Sequence, residues 1–208
     1  MFSRLFDRAA PLWRAAETLG DIIVVNVLLV LSAIPIVTFG AGLTAAYDTA
    51  RRLQDDDSGA ARLFWTSFRT NFKQATALWL IVGLVGAAIL STWLFVRAEE
   101  LVVLKVLLTI VYALVFPYVW VLQARFENSV AGTLRNAAII AIGRLPYTAG
   151  VALIQVVVAA VIVATWIYLP QAVAFLLLLG YALVVFAASP LLERAISPLL
   201  PTEADSVA

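Results

Sequence analysis

The stretch SAIPIVTFGAG, Ser32 to Gly42, interrupts the first long hydrophobic run of this chain. Pro35 removes a backbone N–H and clashes with the preceding turn, so a helix must bend or end near it. Thr38 can cap a second helix that begins near Gly40, and the small glycines permit close approach of a neighbour. Irregular backbone survives in a bilayer only when it is buried in protein or lines water. The stretch therefore predicts a broken helix that lies against the interior of a helical bundle and redirects the chain.

The composition is that of a membrane protein. Of the 208 residues, 63% are hydrophobic and 13% are charged, against about 45–50% and about 25% in soluble domains. The chain has no Cys and no His, which excludes disulfides, thiolate nucleophiles, imidazole bases and the usual transition-metal ligands. We expect no cofactor and no metal, and the net charge of +1 implies no nucleic-acid partner.

Five hydrophobic segments are close to the roughly 20 residues that a helix needs to cross a bilayer. They cover about 21–46, 75–95, 101–122, 146–167 and 171–188. Pro170 predicts a tight hairpin between the last two. The predicted fold is an all-α polytopic transmembrane helical bundle with a broken first segment. A single domain, 21–195, follows an interfacial amphipathic segment, 1–20, and precedes a disordered tail, 196–208.

Two longer polar connections, 48–74 and 123–145, are typical of amphipathic helices. In the first, Phe64, Phe68 and Phe72 recur at the spacing of one helical face. The acidic run DDDSG, 55–59, predicts a break between two short helices, with Ser58 or an Asp capping the second.

Basic residues concentrate in these two connections. By the positive-inside rule, both connections and the C-terminal end with Arg194 are predicted to lie on the cytoplasmic side of a bacterial membrane. The side of the N-terminus stays open. The charge rule favours a re-entrant first segment that turns back at 35–42, whereas its apolar length favours a full crossing. The full crossing is preferred here because Asp7 and Glu17 lower the cost of exporting the tail.

Ionisable groups do not cluster at one depth, and no phosphate loop, nucleophile elbow or pair of catalytic carboxylates is present. Within the segments, Asn26 and Gln155 are polar, and intramembrane amides commonly hold helices together. Lys105 lies close enough to a segment end to reach the interface. These observations argue against an enzyme.

Three motifs resemble the YesL-like family of bacterial polytopic membrane proteins. They are SAIPIVTFGAGLTAAY (32–47), FRTNFKQATALWLI (68–81) and ARFENSVAGTLRNAAIIAIGRLPYT (124–148). The resemblance covers about 5–194 and carries over no catalytic residue, because none is established for the family. It implies an association with oligosaccharide uptake by ABC transporters, with polysaccharide-degrading enzymes and with two-component sensors. Together with Phe68, the residues that match the motifs are predicted to serve structure or partner docking: Pro35, Thr38, Gly40, Thr44, Tyr47, Asn71, Phe72, Lys73, Gln74, Arg125, Phe126, Glu127, Asn136 and Pro146.

Two hypotheses follow. In the first, the chain is a non-catalytic accessory or scaffold subunit whose cytoplasmic helices dock a sugar ABC permease, its ATPase, a sensor kinase or a second copy of the chain. In the second, it is a permease itself, with a broken helix that exposes backbone to a substrate. The second requires a polar, water-filled cavity near Thr38 and Asn26.

Overall fold

The computed structural model describes residues 11–53 and 59–199, and within these ranges it contains helices, turns and loops but no strand. The helices are α1 (Pro11–Ala33), α2 (Phe39–Arg52), α3 (Ala60–Phe95), α4 (Val102–Arg125), α5 (Val130–Gly143), α6 (Leu145–Tyr168) and α7 (Val173–Ile196). Helices α1, α3, α4, α6 and α7 are each long and apolar enough to cross a membrane. The predicted all-α polytopic bundle is confirmed. The outer parts of the predicted interfacial segment and tail, 1–10 and 200–208, lie outside the described residues.

The predicted break is present between α1 and α2. Pro35 has no N–H for the carbonyl of Leu31, and the N–H of Ile34 donates to that carbonyl over 3.3 Å instead. The Thr38 hydroxyl donates to the carbonyl of Ser32, at the end of α1. Thr38 occupies the N-cap position of α2 but makes no capping hydrogen bond there. The prediction that it caps the second helix is wrong, because its hydroxyl satisfies the helix before the break.

The centre of the break faces outward. Ile34 and Ile36 are 72% and 70% exposed, and Pro35 is exposed as well. Ile36 has a φ of 59°, a left-handed conformation that costs a β-branched residue about 1–2 kcal/mol. The prediction that the whole stretch 35–42 lies against the bundle interior therefore holds only from Gly40 onward. Apolar side chains in a turn can face lipid because lipid tails are as apolar as they are.

Helices α1 and α2 form an antiparallel hairpin. At its tip, Gly42 lies against the side chain of Ser32. At its open end, Leu53 lines one cavity with Thr18 and Ile22. The first half of α1 and the end of α2 therefore lie at the same end of the bundle. The predicted first segment, 21–46, is therefore divided between α1, which is long and apolar enough to cross a membrane by itself, and α2, which runs in the opposite direction. The side of the N-terminus stays a prediction.

Helix α2 is the centre of the bundle. Every residue from Gly40 to Ala50 is buried, and α2 packs against α1, α3, α4 and α7. Most of these residues are Gly, Ala or Thr, whose small side chains allow neighbouring helices to come close. The Thr44 hydroxyl donates to the carbonyl of Gly40 over 3.0 Å. The hydroxyls of Tyr47 and Tyr181 lie 3.2 Å apart, which ties α2 to α7.

Helix α3 joins two predicted elements into one. The second half of the first polar connection and the second hydrophobic segment form a continuous helix of 36 residues. Its length is about 54 Å at 1.5 Å per residue, well beyond the roughly 30 Å of a hydrocarbon core. The predicted break at the acidic run is confirmed to the extent that α2 ends before it and α3 begins after it; residues 54–58, and the caps predicted there, lie outside the described residues.

The remaining helices follow the predicted order. Helix α4 returns antiparallel to α3, with Trp93 donating to Thr109 over 3.1 Å near one end. The second polar connection contains α5, as predicted, and buries Thr133 and Ala137 on one face. A 3-10 turn, Pro170–Ala172, joins α6 to α7 and confirms the hairpin predicted there.

Asn26 and Lys105, two of the polar residues of the apolar helices, have hydrogen-bond partners within the protein. The side-chain carbonyl of Asn26 lies 3.5 Å from the N–H of Ala182, next to the point where Gly180 breaks the helical conformation of α7. Lys105 is buried and donates to the carbonyl of Val96 in the turn between α3 and α4. The Lys105 ammonium group is therefore hydrogen-bonded within the protein near the start of α4.

Overpacking tests the central position of α2. We expect Gly40→Ala and Gly42→Ala each to lower the free energy of unfolding by about 1–3 kcal/mol, because a methyl group does not fit there. A Cβ on Gly40 would overlap the Ala75 carbonyl and the Trp79 side chain, and one on Gly42 would overlap Ser32. Thermal unfolding of the purified protein in detergent measures this change. Gly20→Ala is the matched control, because a Cβ there meets nothing within 4 Å; equal midpoints for all three variants would contradict the packing described.

Candidate functional site

A polar groove opens at the end of the bundle where α2 and α4 end. Its volume is about 540 Å³. It is formed by the last turn of α2, one face of α3, the end of α4 and the loop that follows α4. The residues that line it are Arg52, Thr66, Ser67, Thr70, Asn71, Gln74, Gln123, Ala124, Arg125, Phe126, Glu127 and Asn128. This polar groove brings together the two connections that the sequence marks as amphipathic.

One wall of the groove is a polar stripe on α3. Ser67, Asn71 and Gln74 follow one another at spacings of four and three, so they share a helix face. The Asn71 amide donates to the Ser67 carbonyl over 3.1 Å. Gln123 of α4 donates in turn to the Asn71 side-chain oxygen over 3.3 Å. The stripe thus holds the end of α4 in place through side-chain amides.

The loop after α4 is fixed at the end that leads into α5. The Gln74 side chain donates to the carbonyl of Asn128, which attaches the loop to α3. Ser129 is the N-cap of α5, and its hydroxyl oxygen accepts the N–H of Gly132 over 3.1 Å. Phe126 and Glu127 are therefore presented at the groove by two anchored neighbours.

Two partly exposed arginines surround one buried carboxylate at this end of the bundle. Asp48 is 1% exposed and accepts from Arg51 over 2.7 Å and from Arg52 over 3.0 Å. Removing one partner of a buried pair costs about 3–5 kcal/mol, because it leaves a buried charge uncompensated. Asp48 thereby fixes Arg52 at the groove, and its own carboxylate is held by two cations.

Two buried polar atoms on the groove wall have no hydrogen-bond partner among the described residues. One is the side-chain oxygen of Gln123, a residue that is 5% exposed. The other is Nε of Arg125, which lies 4.0 Å from the nearest Glu193 carboxylate oxygen, too far for a hydrogen bond. A buried group left unsatisfied costs about 1–3 kcal/mol. Both atoms are enclosed by protein, so neither is accessible to a bound molecule in this conformation.

The chemistry available in the groove is recognition by amides and guanidinium groups. In the described part of the chain, no three residues of the types His, Cys, Asp and Glu are grouped so that they could hold a metal ion. The buried carboxylate of Asp48 and the half-buried carboxylate of Glu193 each face arginine side chains.

The residues predicted from the sequence divide into separate places. Asn71, Gln74, Arg125, Phe126 and Glu127 line the polar groove. Pro35 and Thr38 lie at the tip of the α1–α2 hairpin. Gly40, Thr44 and Tyr47 are buried in α2 at the centre of the bundle. Asn136 is half-buried on α5, and Pro146 is exposed in the first turn of α6.

The aromatic residues of α3 do not belong to the groove. Phe64 and Phe68 line a different cleft of about 300 Å³, together with Phe72 and with Pro35 and Thr38 of the break. Their rings stack, with centroids 6.3 Å apart for the first pair. Lys73 borders the outer side of this aromatic face. The phenylalanines therefore lie on a different face of α3 from the polar stripe that forms the groove with Arg125 and Glu127.

Sequence reasoning missed several groove residues. Arg52, Ser67, Gln123 and Asn128 line the groove without having been singled out for it. The spacing of Ser67 with Asn71 and Gln74 was a usable signal, since it marks a polar face beside that of the phenylalanines. Nothing local in the sequence indicates that Gln123 would meet that face.

Comparison with known families gives one match. Residues 22–93 match the model of a family described as a protein of unknown function, DUF624. The match runs from α1 through most of α3, and it includes the break and one wall of the groove but not α4 or the loop after it. The chain is similar to that family over about a third of its length, and the description assigns no activity. Comparisons with curated proteins and with solved structures gave no match. The resemblance to the YesL-like family and its link to transport stay predictions.

The loop anchor can be tested directly. We expect Gln74→Ala to speed hydrogen exchange of the backbone amides of 126–129, because the loop loses its side-chain attachment to α3. Hydrogen–deuterium exchange with mass spectrometry measures this change. Lys73→Ala is the control, since the exposed Lys73 side chain is outside the groove. Equal exchange in the two variants would show that Gln74 does not hold the loop.

Proposed function

We propose that this integral membrane protein is a non-catalytic accessory or scaffold subunit of a bacterial membrane complex for oligosaccharide uptake or its sensing. In this proposal the polar groove lies on the cytoplasmic side and binds a polypeptide segment of a sugar ABC permease, its ATPase or a sensor kinase. The basic residues around the groove support that orientation, and the resemblance of the motifs supports the class of partner.

The observation that carries the proposal is the lining of the groove by side-chain amides and guanidinium groups, including Asn71, Gln74, Gln123 and Arg125. A side-chain amide can accept a peptide N–H, and a guanidinium can donate to a peptide carbonyl or to a carboxylate. A polypeptide main chain presents both groups within one residue. The exposed carboxylate of Glu127 at the rim adds charge that orients a partner more than it adds affinity.

The pairing of the charged groups favours binding over catalysis. Asp48 is committed to two arginines, and Glu193 faces Arg125. A general base needs a carboxylate within hydrogen-bond reach of a substrate proton. Apart from the exposed Glu127 at the rim, the remaining groove side chains are mainly amides, hydroxyls and guanidinium groups, which orient a bound chain without exchanging protons with it near neutral pH.

The permease hypothesis finds less support around the break. The cleft beside Thr38 is lined mostly by Leu and Phe side chains. Asn26 is buried against Gly180, where a Cβ would overlap its side-chain amide. A substrate site at the break would need a polar, hydrated cavity there, and these two places are apolar or filled.

Site-specific photocrosslinking in native bacterial membranes tests the proposal. We expect a photoreactive amino acid in place of Glu127 to capture a transporter or sensor-kinase subunit, identified by mass spectrometry. The same residue in place of Arg69, which is exposed on α3 and outside the groove, should not capture it. Adding Gln123→Leu to the Glu127 probe should reduce the crosslink at least about fivefold, since one buried hydrogen bond is worth roughly 1 kcal/mol.

Three results would contradict the proposal. The first is capture of the same subunit at equal yield from the Arg69 position. The second is an unchanged crosslink when Gln123→Leu is present in protein with an unaltered unfolding midpoint. The third is a crosslink from Glu127 that joins only two copies of this chain, which would make the groove a homo-oligomer interface.

A further inference from the structure

A second cleft lies between α3 and α4 on the outer surface of the bundle, away from the polar groove. Its volume is about 300 Å³, and ten of its eleven lining side chains have no polar group. They are Ile81, Val82, Val85, Ile89, Leu108, Val111, Tyr112, Val115, Phe116, Val119 and Leu134. We call it the acyl cleft. Exposed apolar residues of α3 and α4 surround it, so it faces the hydrocarbon of the membrane.

The polar group within the acyl cleft is already satisfied. The Tyr112 hydroxyl donates to the carbonyl of Val82 over 3.2 Å. Gly86 is covered by the same tyrosine, and Gly83 lies under the ring of Trp79. A transmembrane helix is about 10 Å across and packs closely where small residues are open. Since the glycines are covered, the cleft suits a single hydrocarbon chain better than a helix.

A positively charged residue, Arg135, is next in sequence to the α5 residue that lines the acyl cleft. Arg135 comes directly after Leu134, the one α5 residue that lines the cleft. It shares a face of α5 with Ile139 and Ile142, which are 55% and 70% exposed. Contact of these two side chains with lipid would place Arg135, one turn earlier, at headgroup depth. Arg135 is exposed and forms no salt bridge with a described residue.

We propose that the acyl cleft and Arg135 form a binding site for an anionic phospholipid. One acyl chain lies between α3 and α4 against Val85 and Val111, and the headgroup phosphate pairs with the Arg135 guanidinium. Guanidinium and phosphate form bidentate, charge-assisted hydrogen bonds. This site rests on surfaces separate from the polar groove and does not depend on the proposed function.

Native mass spectrometry of the full chain, stripped of lipid in detergent, tests the site by titration. The probes are phosphatidylglycerol and phosphatidylcholine with identical acyl chains. We expect phosphatidylglycerol to bind about fivefold more tightly, the effect of about 1 kcal/mol per basic residue near a membrane surface. Arg135→Gln should remove this preference. The double variant Val85→Phe with Val111→Phe should weaken both lipids by filling the acyl cleft.

Matched variants give the controls. Arg97→Gln removes an exposed arginine near the far end of α3, and Leu84→Phe with Val103→Phe enlarges exposed residues outside the cleft. Neither should change lipid binding. Equal affinities of the two lipids for the unchanged protein would overturn the headgroup assignment. Loss of binding in the controls as large as in the test variants would overturn the site. Dissociation of a dimer by the cleft-filling variant, with lipid binding kept, would assign the cleft to a second copy of the chain.

Discussion

A bilayer offers no hydrogen bonds to the backbone, so a helix that breaks in it must satisfy its freed groups from within the protein. Two hydrogen bonds meet that constraint at the break between α1 and α2. The N–H of Ile34 donates to the Leu31 carbonyl, which Pro35 leaves without its usual donor, and the Thr38 hydroxyl donates to the Ser32 carbonyl. Because both bonds point back to α1, the chain can reverse direction at once. The reversal sends α2 into the middle of the bundle, where its small residues allow four helices to pack around it.

The position of the polar groove follows from that reversal. Helix α2 leaves the bundle interior after Ala50. The buried carboxylate of Asp48 binds Arg51 and Arg52 and so fixes Arg52 at the groove. Helix α3 is long enough to extend beyond the membrane, and its polar stripe forms the wall facing α4. The same helix carries the aromatic cluster on another face, which supports the hairpin tip. One helix thus stabilises the break with one side and builds a recognition surface with another.

Much of the architecture could be predicted because it depends on local chemistry. Hydrophobic runs of sufficient length predicted the membrane-spanning helices, and Pro35 predicted the break. The direction of the chain after the break could not be predicted locally, since a proline ends a helix without stating where the next one goes. The length of the first apolar run favoured a single crossing, whereas the structure divides that run between two antiparallel helices. The groove needed contacts distant in sequence, such as that of Gln123 with Asn71, which no local pattern encodes.

The central claim is that the first apolar run doubles back, so that Thr18 and Leu53 lie at one end of the bundle. Spin labels at these two positions, measured by pulsed electron paramagnetic resonance in lipid nanodiscs, give this distance directly. Neighbouring helix axes are about 8–10 Å apart, so we expect a short distance for this pair and a much longer one between Thr18 and Arg97. A separation of Thr18 from Leu53 of about 30 Å or more, the thickness of the hydrocarbon core, would contradict the account.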